Sequence, residues 1–307
     1  HSSTFSMATV IGVLVGFGMF GAMLTLPLYL QLVLGATPTE SGFQMLPMIL
    51  GLMIASIASG QIIARTGRYR MFPILGTLFL SGGYVLLTFL RVDSSYWFLA
   101  GAMLLLGLGL GQLMQTLTIA SQNSVGLRDM GVATSASTFF RQIGGTLGTA
   151  VLLSLLFTLV PSNIQNSFAD EGTVTNALEA ALDPAVTQAP ENAAIMKTIY
   201  DPIVANLQQA ASAASVDLSD DAAREAFVAQ AVPQVQEALA TKSDDQSFDG
   251  SVMNDTSFLN GADPRLTAPI LVGFNDSATV VYRVALGVVL LAFVLTLFFR
   301  TPPLRAK

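Results

Sequence analysis

Residues 7–34 read MATVIGVLVGFGMFGAMLTLPLYLQLVL, 28 positions in a row without a charged side chain. A helix gains about 1.5 Å per residue, so roughly 20 apolar residues cross the ~30 Å hydrocarbon layer of a bilayer. This run is long enough to span a membrane, and it governs how its surroundings are read. Outward along the chain, runs 38–64, 71–90, 96–120, 132–160 and 278–299 have the same character. The second of the six opens on a helix-start signal, with Thr37 as N-cap, Pro38 at the first helical position and Glu40 as the acid of a capping box. Only 11% of residues are charged and the mean hydropathy is +0.61, where an ordinary soluble domain is about 25% charged. A water-soluble globule is excluded. The expected fold is all-α, a polytopic membrane protein with six transmembrane helices and a large polar loop before the last.

Charge divides the chain into unlike parts. Residues 161–277 hold 17 acids and four bases, while the rest hold three acids and ten bases. The pI of 4.7 averages over both and gives no ground for expecting a nucleic-acid partner. Lys and Arg in short connections resist translocation, whereas acids and long loops count for little. Arg65, Arg68, Arg70, Arg128, Arg300, Arg305 and Lys307 gather on one side, with only Arg91 in a short loop on the other. Both termini are therefore expected in the cytoplasm and the acidic loop outside it. Three regions follow: 1–160 with five spans, 161–277 as an extracytoplasmic, partly helical loop, and 278–307 with the last span and a cytoplasmic tail. A chain that begins at His1 reads as a piece of a longer protein.

Two helical patterns stand out in the loop. Ile195, Ile199, Ile203 and Leu207 recur at four-residue spacing, and Val228, Val232, Val235 and Leu239 recur at helical spacing after Ser219 as N-cap. Pro202 and Pro233 interrupt them, so a helical hairpin over the membrane mouth and a mobile spacer both fit.

Inside a span, a polar side chain must face protein or a water-filled cavity. Gln112, Gln115 and Gln122 fall within about 80° on the fourth span at 100° per residue. Gln112 and Gln115 are candidates for a cavity wall, against a packing role as interhelical hydrogen bonds; Gln122 lies at the cytoplasmic end. On the fifth span, Thr134, Ser137, Thr138, Arg141, Gly145 and Gly148 share an arc of about 100°. Arg141 sits two to three turns inside that helix, where a cation is paired or hydrated or else snorkels to the headgroups. Small residues four apart, Gly107 with Gly111 and Gly144 with Gly148, allow close helix approach. Met23 and Met45 would suit a loosely selective wall, because Met repacks around varied shapes; taken singly, lipid or core packing explains each as well.

Cysteine is absent and the only histidine is His1. Disulfides, iron–sulfur clusters, imidazole metal sites and thiol or histidine catalysis are thereby excluded. No nucleophile has a visible base, so an enzyme is not expected, nor any cofactor or metal. Nor does a carboxylate fall inside a span. Glu40 is explained by its capping box, and Asp93 and Asp129 lie in loops.

The connection after the second span reads GQIIARTGRYR, residues 60–70. It resembles the G-x-L-A-D-R-x-G-R-K loop motif of the major facilitator superfamily, with Gly60, Arg65, Gly67, Arg68 and Arg70 on matching positions and Ala64 in place of the acid. LPLYLQLVLGATPTESGFQMLPMILG (26–51), GLGLGQLMQTLTIASQNSV (107–125) and RDMGVATSASTFFRQIGGTLGTAV (128–151) look like the fourteen-helix drug:proton antiporter branch of that superfamily. The resemblance implies that these spans are helices nine to fourteen, the C-terminal six-helix bundle of an exporter whose N-terminal helices are missing here. It implies a multi-pass protein of the cell's inner (plasma) membrane, with lipophilic small molecules, protons and lipid as partners. Export would proceed by alternating access, and the basic loop would act as a conformational latch, weakened by the lost acid. The competing reading is a membrane-anchored scaffold whose acidic loop is an interaction module.

Overall fold

The computed structural model describes residues 3–67, 69–241 and 257–299. Its helices are α1 (Ser3–Leu32), α2 (Pro38–Gln44), α3 (Leu46–Thr66), α4 (Met71–Thr88), α5 (Tyr96–Asn123), α6 (Met130–Ala169), α7 (Glu171–Leu182), α8 (Pro184–Thr187), α9 (Ala193–Ile195), α10 (Asp201–Ala213), α11 (Asp221–Thr241) and α12 (Pro264–Leu297). Six helical stretches are long and apolar enough to cross a membrane: α1, α2 with α3, α4, α5, α6 and α12. The all-α, six-span architecture is thus the observed one. Two compact units divide it, one comprising the residues up to Leu156 with those from Ala278 on, the other Phe157–Ser277.

Within the first unit the helices are held at close range by glycines. A methyl group on Gly107 would fall 2.9 Å from the Leu52 nitrogen, and one on Gly111 2.9 Å from the Ser56 nitrogen, so α5 lies against α3 with no room for side chains. Between these two, Gly109 points the other way, because two residues turn a helix by about 200°. It meets Gly76 and Leu80 of α4, and Gly83 of α4 meets Leu106 and Ala102 of α5. The run Gly107-Leu-Gly-Leu-Gly111 therefore seats one helix between two. The order of contacts fixes direction: α3 and α5 advance together and are parallel, whereas α4 and α5 run opposite ways. By the same order α1 and α6 are parallel, with Val13 against Gly144 and Phe17 against Gly148. Consecutive spans thus alternate in direction, as short connections require.

Polar groups join the remaining neighbours. The Tyr84 hydroxyl of α4 donates to the Gly18 carbonyl of α1, and a methyl on Gly18 would lie 2.8 Å from Val289 of α12. Thr77 and Thr296 approach to 3.2 Å between α4 and α12. Tyr29, Tyr84 and Tyr282 are all fully buried.

The capping box at the second span is formed: the Thr37 amide donates to Glu40 Oε2 at 2.9 Å, and the Glu40 amide donates to Thr37 Oγ1 at 3.2 Å. That span is interrupted at Met45, between α2 and α3, because Pro47 lacks the N–H a continuous helix would use and its ring crowds the carbonyl four residues before it. α6 continues through Pro161 to Ala169, and α12 begins at Pro264, so both helices are longer than their apolar runs.

The second unit has a core of its own. Val174, Leu178, Val186, Ile195, Ile199, Val228 and Val232 are buried together with Ile164, Phe168, Leu266 and Phe274. Both apolar patterns read in the loop lie on helices. Pro202 is accommodated by a π-helical turn, Met196–Tyr200, immediately before α10. The cap of α11 is not Ser219: its hydroxyl donates to Asp217 Oδ1 at 2.6 Å, and Asp220 Oδ1 accepts from the Ala222 amide at 3.0 Å. Aspartate wins this place because its carboxylate also answers the positive end of the helix dipole. Tyr200 donates to the Leu266 carbonyl at 2.7 Å, and burial raises its hydroxyl pKa. Arg224 donates to the Leu218 carbonyl at 2.9 Å and to Asp221 at 2.7 Å.

Candidate functional site

The basic connection between α3 and α4 is built from the ends of those helices. Gly67 closes α3 at φ +70°, a left-handed conformation that costs glycine nothing, and its amide donates to the Ile63 carbonyl at 2.8 Å. Arg65 lies exposed in the last turn of α3, where a cation meets the negative end of the helix dipole, and Arg70 is exposed at the start of α4. Arg68 lies outside the described residues. Gly60 faces α5, 3.4 Å separating a methyl built on it from Gln115 Nε2.

Sequence reasoning missed the residue that anchors this connection. Tyr69 is 2% exposed and accepts a hydrogen bond from Asn123 Nδ2 at 3.3 Å, at the C-terminal end of α5. Nearby, Gln122 Nε2 donates to Thr134 Oγ1 at 3.0 Å, tying α5 to α6. The available signal was an aromatic between two arginines in a short loop, which is an odd place for a residue with no partner.

The other candidates are not gathered into one pocket. Gln112 is buried within the bundle, and Gln115 lies over Gly60 on the seam between α5 and α3. Arg141 is half-buried on the face of α6 that packs against α1, its Cγ 3.2 Å from where a methyl on Gly16 would stand. Among the described residues Arg141 forms no ion pair, those that exist belonging to Arg224 and Arg265. Met23 is 41% exposed on α1, whereas Met45 is 9% exposed at the break between α2 and α3. Gly107, Gly111, Gly144 and Gly148 occupy the helix seams already described. The polar stripe on α6 from Thr134 to Gly148 thus lines a contact with α1 and α5, and the outward face of α6 carries a different set of polar side chains.

Residues 2–149 match the family model of the Major Facilitator Superfamily. An uncharacterized MFS-type transporter of Mycobacterium tuberculosis is 39% identical over 154 residues, 50% of this chain and 22% of that protein. The multidrug transporter protein MdtP of Bacillus subtilis is 36% identical over 198 residues, 64% of this chain and 35% of that one. A tetracycline resistance determinant of Streptomyces rimosus is 29% identical over 296 residues, 96% of this chain and 71% of that protein. The chain thus spans about a fifth to a third of the length of the mycobacterial and Bacillus relatives. The family match covers residues 2–149, and the mycobacterial and Bacillus relatives are named as transporters.

Proposed function

We propose that this chain acts as the C-terminal half of a proton-coupled exporter of lipophilic compounds, of the fourteen-helix drug:proton antiporter type. The observation that carries the reading is the bundle itself: six alternating spans sealed by glycines, with the basic 60–70 turn joining α3 and α4. Helices in such close, side-chain-free contact can move as one body, which alternating access requires of each half of a transporter. Resemblance to proteins named for multidrug transport and tetracycline resistance supports the substrate class. On this reading both termini are cytoplasmic, the protein sits in the inner (plasma) membrane, and exposed Met23 faces the transport path, while Arg141 stays on the contact between α6 and α1. Among the described span-forming helices the acids are Glu40, at a helix cap, and Asp276, which precedes the apolar run 278–299 of α12, so on this reading the group that carries the proton belongs to helices outside this chain.

A second reading makes residues 161–277 an interaction module held at the membrane. What favours it is the separate buried core of Phe157–Ser277. The deciding experiment is efflux in proteoliposomes under an imposed pH gradient. The complete polypeptide should expel a lipophilic dye in a gradient-dependent way, and these 307 residues alone should not. Dye movement indifferent to the gradient in both preparations would remove the exporter reading.

A further inference from the structure

We propose that Ser135, Gln142 and Thr146 form a water-facing wall of the transport path that hydrogen-bonds uncharged oxygen- and nitrogen-bearing groups of the substrate. The inference rests on the exporter reading and names the chemistry that its path would recognise. All three residues are exposed, and at 100° per residue they fall within about 40° on α6. Gln142 stands twelve residues inside α6, about 18 Å along its axis, at the depth of the hydrocarbon. Its carboxamide has no hydrogen-bond partner among the described residues, and the Thr146 hydroxyl spends its proton on the Gln142 carbonyl at 3.1 Å.

A carboxamide turned to lipid at that depth costs several kcal/mol, so this face meets water, a polar ligand or polar groups of helices outside this chain, and of these the first two leave position 142 open to a water-soluble reagent. Other faces of the bundle behave differently. At comparable depth the exposed side chains of α3 include Leu50, Met53, Ile54 and Ile57, and those of α12 include Leu290 and Val294, all apolar as a lipid-facing surface should be. Exposed Gln61 sits close to the C-terminal end of α3. Beside the polar stripe, Phe139 is 58% exposed and Leu147 53%. Hydrogen-bonding groups next to an exposed ring suit lipophilic ring compounds decorated with hydroxyl, carbonyl or amide groups. Ser135, Gln142 and Thr146 carry no charge to select for an ion.

These 307 residues contain no cysteine, so Gln142→Cys and Met53→Cys each give one thiol in this part, and they are introduced singly into the complete polypeptide after any cysteine outside it has been replaced by alanine. A water-soluble methanethiosulfonate reacts with thiolate, which forms only where water reaches. Position 142 should label about tenfold faster than position 53 or more; equal, slow labelling would overturn the wall. Recognition is tested separately with Gln142→Leu, using tetracycline as the oxygen-rich probe and tetraphenylphosphonium as one without hydrogen-bonding groups. The ratio of tetracycline to tetraphenylphosphonium efflux should fall about fivefold, the worth of one hydrogen bond. An unchanged ratio overturns the recognition role, and because both probes use the same protein, a folding defect does not mimic the result. Should the unsubstituted protein move neither probe, the exporter reading falls, while labelling still decides whether the face is wet.

Discussion

Gly144 of α6 lies so close to Val13 of α1 that a methyl group on Gly144 would fall 2.7 Å from the Val13 carbonyl carbon. Gly144→Ala should therefore force the helices apart, at about 1–3 kcal/mol for overpacking, and lower the melting temperature of the purified chain in detergent by several degrees. Gly12 of α1 has nothing within 4 Å of an added methyl, so Gly12→Ala should be neutral or slightly stabilising through helix propensity. Equal melting of the two variants would mean that the seam can open at no cost.

Arg65 and Arg70 are exposed and form no ion pair among the described residues. Exposed charges of this kind contribute little to folding, and the latch role proposed for them is to bias one arrangement of the helix ends over another. Arg65→Gln with Arg70→Gln is expected to reduce efflux by the complete polypeptide several-fold while membrane abundance, read by immunoblot, stays near that of the parent. Undiminished efflux would leave these arginines as determinants of orientation alone.

Orientation itself is open to a direct measurement. Thr66 ends α3 and is exposed, so Thr66→Cys provides a single thiol beside the basic turn. An impermeant maleimide should reach it in inverted vesicles and not in intact cells. Labelling from outside intact cells would reverse the assignment of sides.

Acid should weaken the Phe157–Ser277 unit through specific carboxylates. Bonds from the Thr173 hydroxyl and amide hold Asp170 below the usual carboxylate range, bonds from Ser219 do the same for Asp217, and bonding to the Arg265 side chain lowers Asp263. A carboxyl whose folded pKa is depressed contributes stability above its unfolded value and loses it as pH falls through the folded one. The window thus opens below about pH 4. Protonation also relieves repulsion among the 17 acids of 161–277, so the comparison with Asp170→Asn/Asp263→Asn isolates the effect. Asn retains the cap at position 170 without the charge; the double variant should show a smaller loss of melting temperature between pH 5 and pH 2 than the parent. An identical acid limb in both would assign the loss to other groups.

The sequence alone determined the number of spans, the capping box at Thr37 and Glu40, and the helical character of the two loop patterns. These features follow from hydropathy over some 20 residues and from caps acting across one turn, which are local in the chain. It also marked the glycines four apart, because only backbone needs to be read to know where two helices can touch. Which helix each glycine meets was not legible. Gly109 turned out to face α4 while Gly107 and Gly111 face α3, a partition that depends on how three helices share one surface. For the same reason the polar stripe containing Arg141 could not be assigned to cavity or contact from its arc alone. An arc gives the direction of a side chain from its own axis, and only the position of α1 beside Gly144 decides that this direction is inward and that Gln142, about 100° further round, looks out. The helix ends beyond Pro161 and before Ala278 were likewise hidden, since they are stabilised by burial of Phe168, Leu266 and Phe274 in a core formed with residues far away in sequence. A proline or a charged residue stops an isolated helix; one that is packed along its length tolerates both.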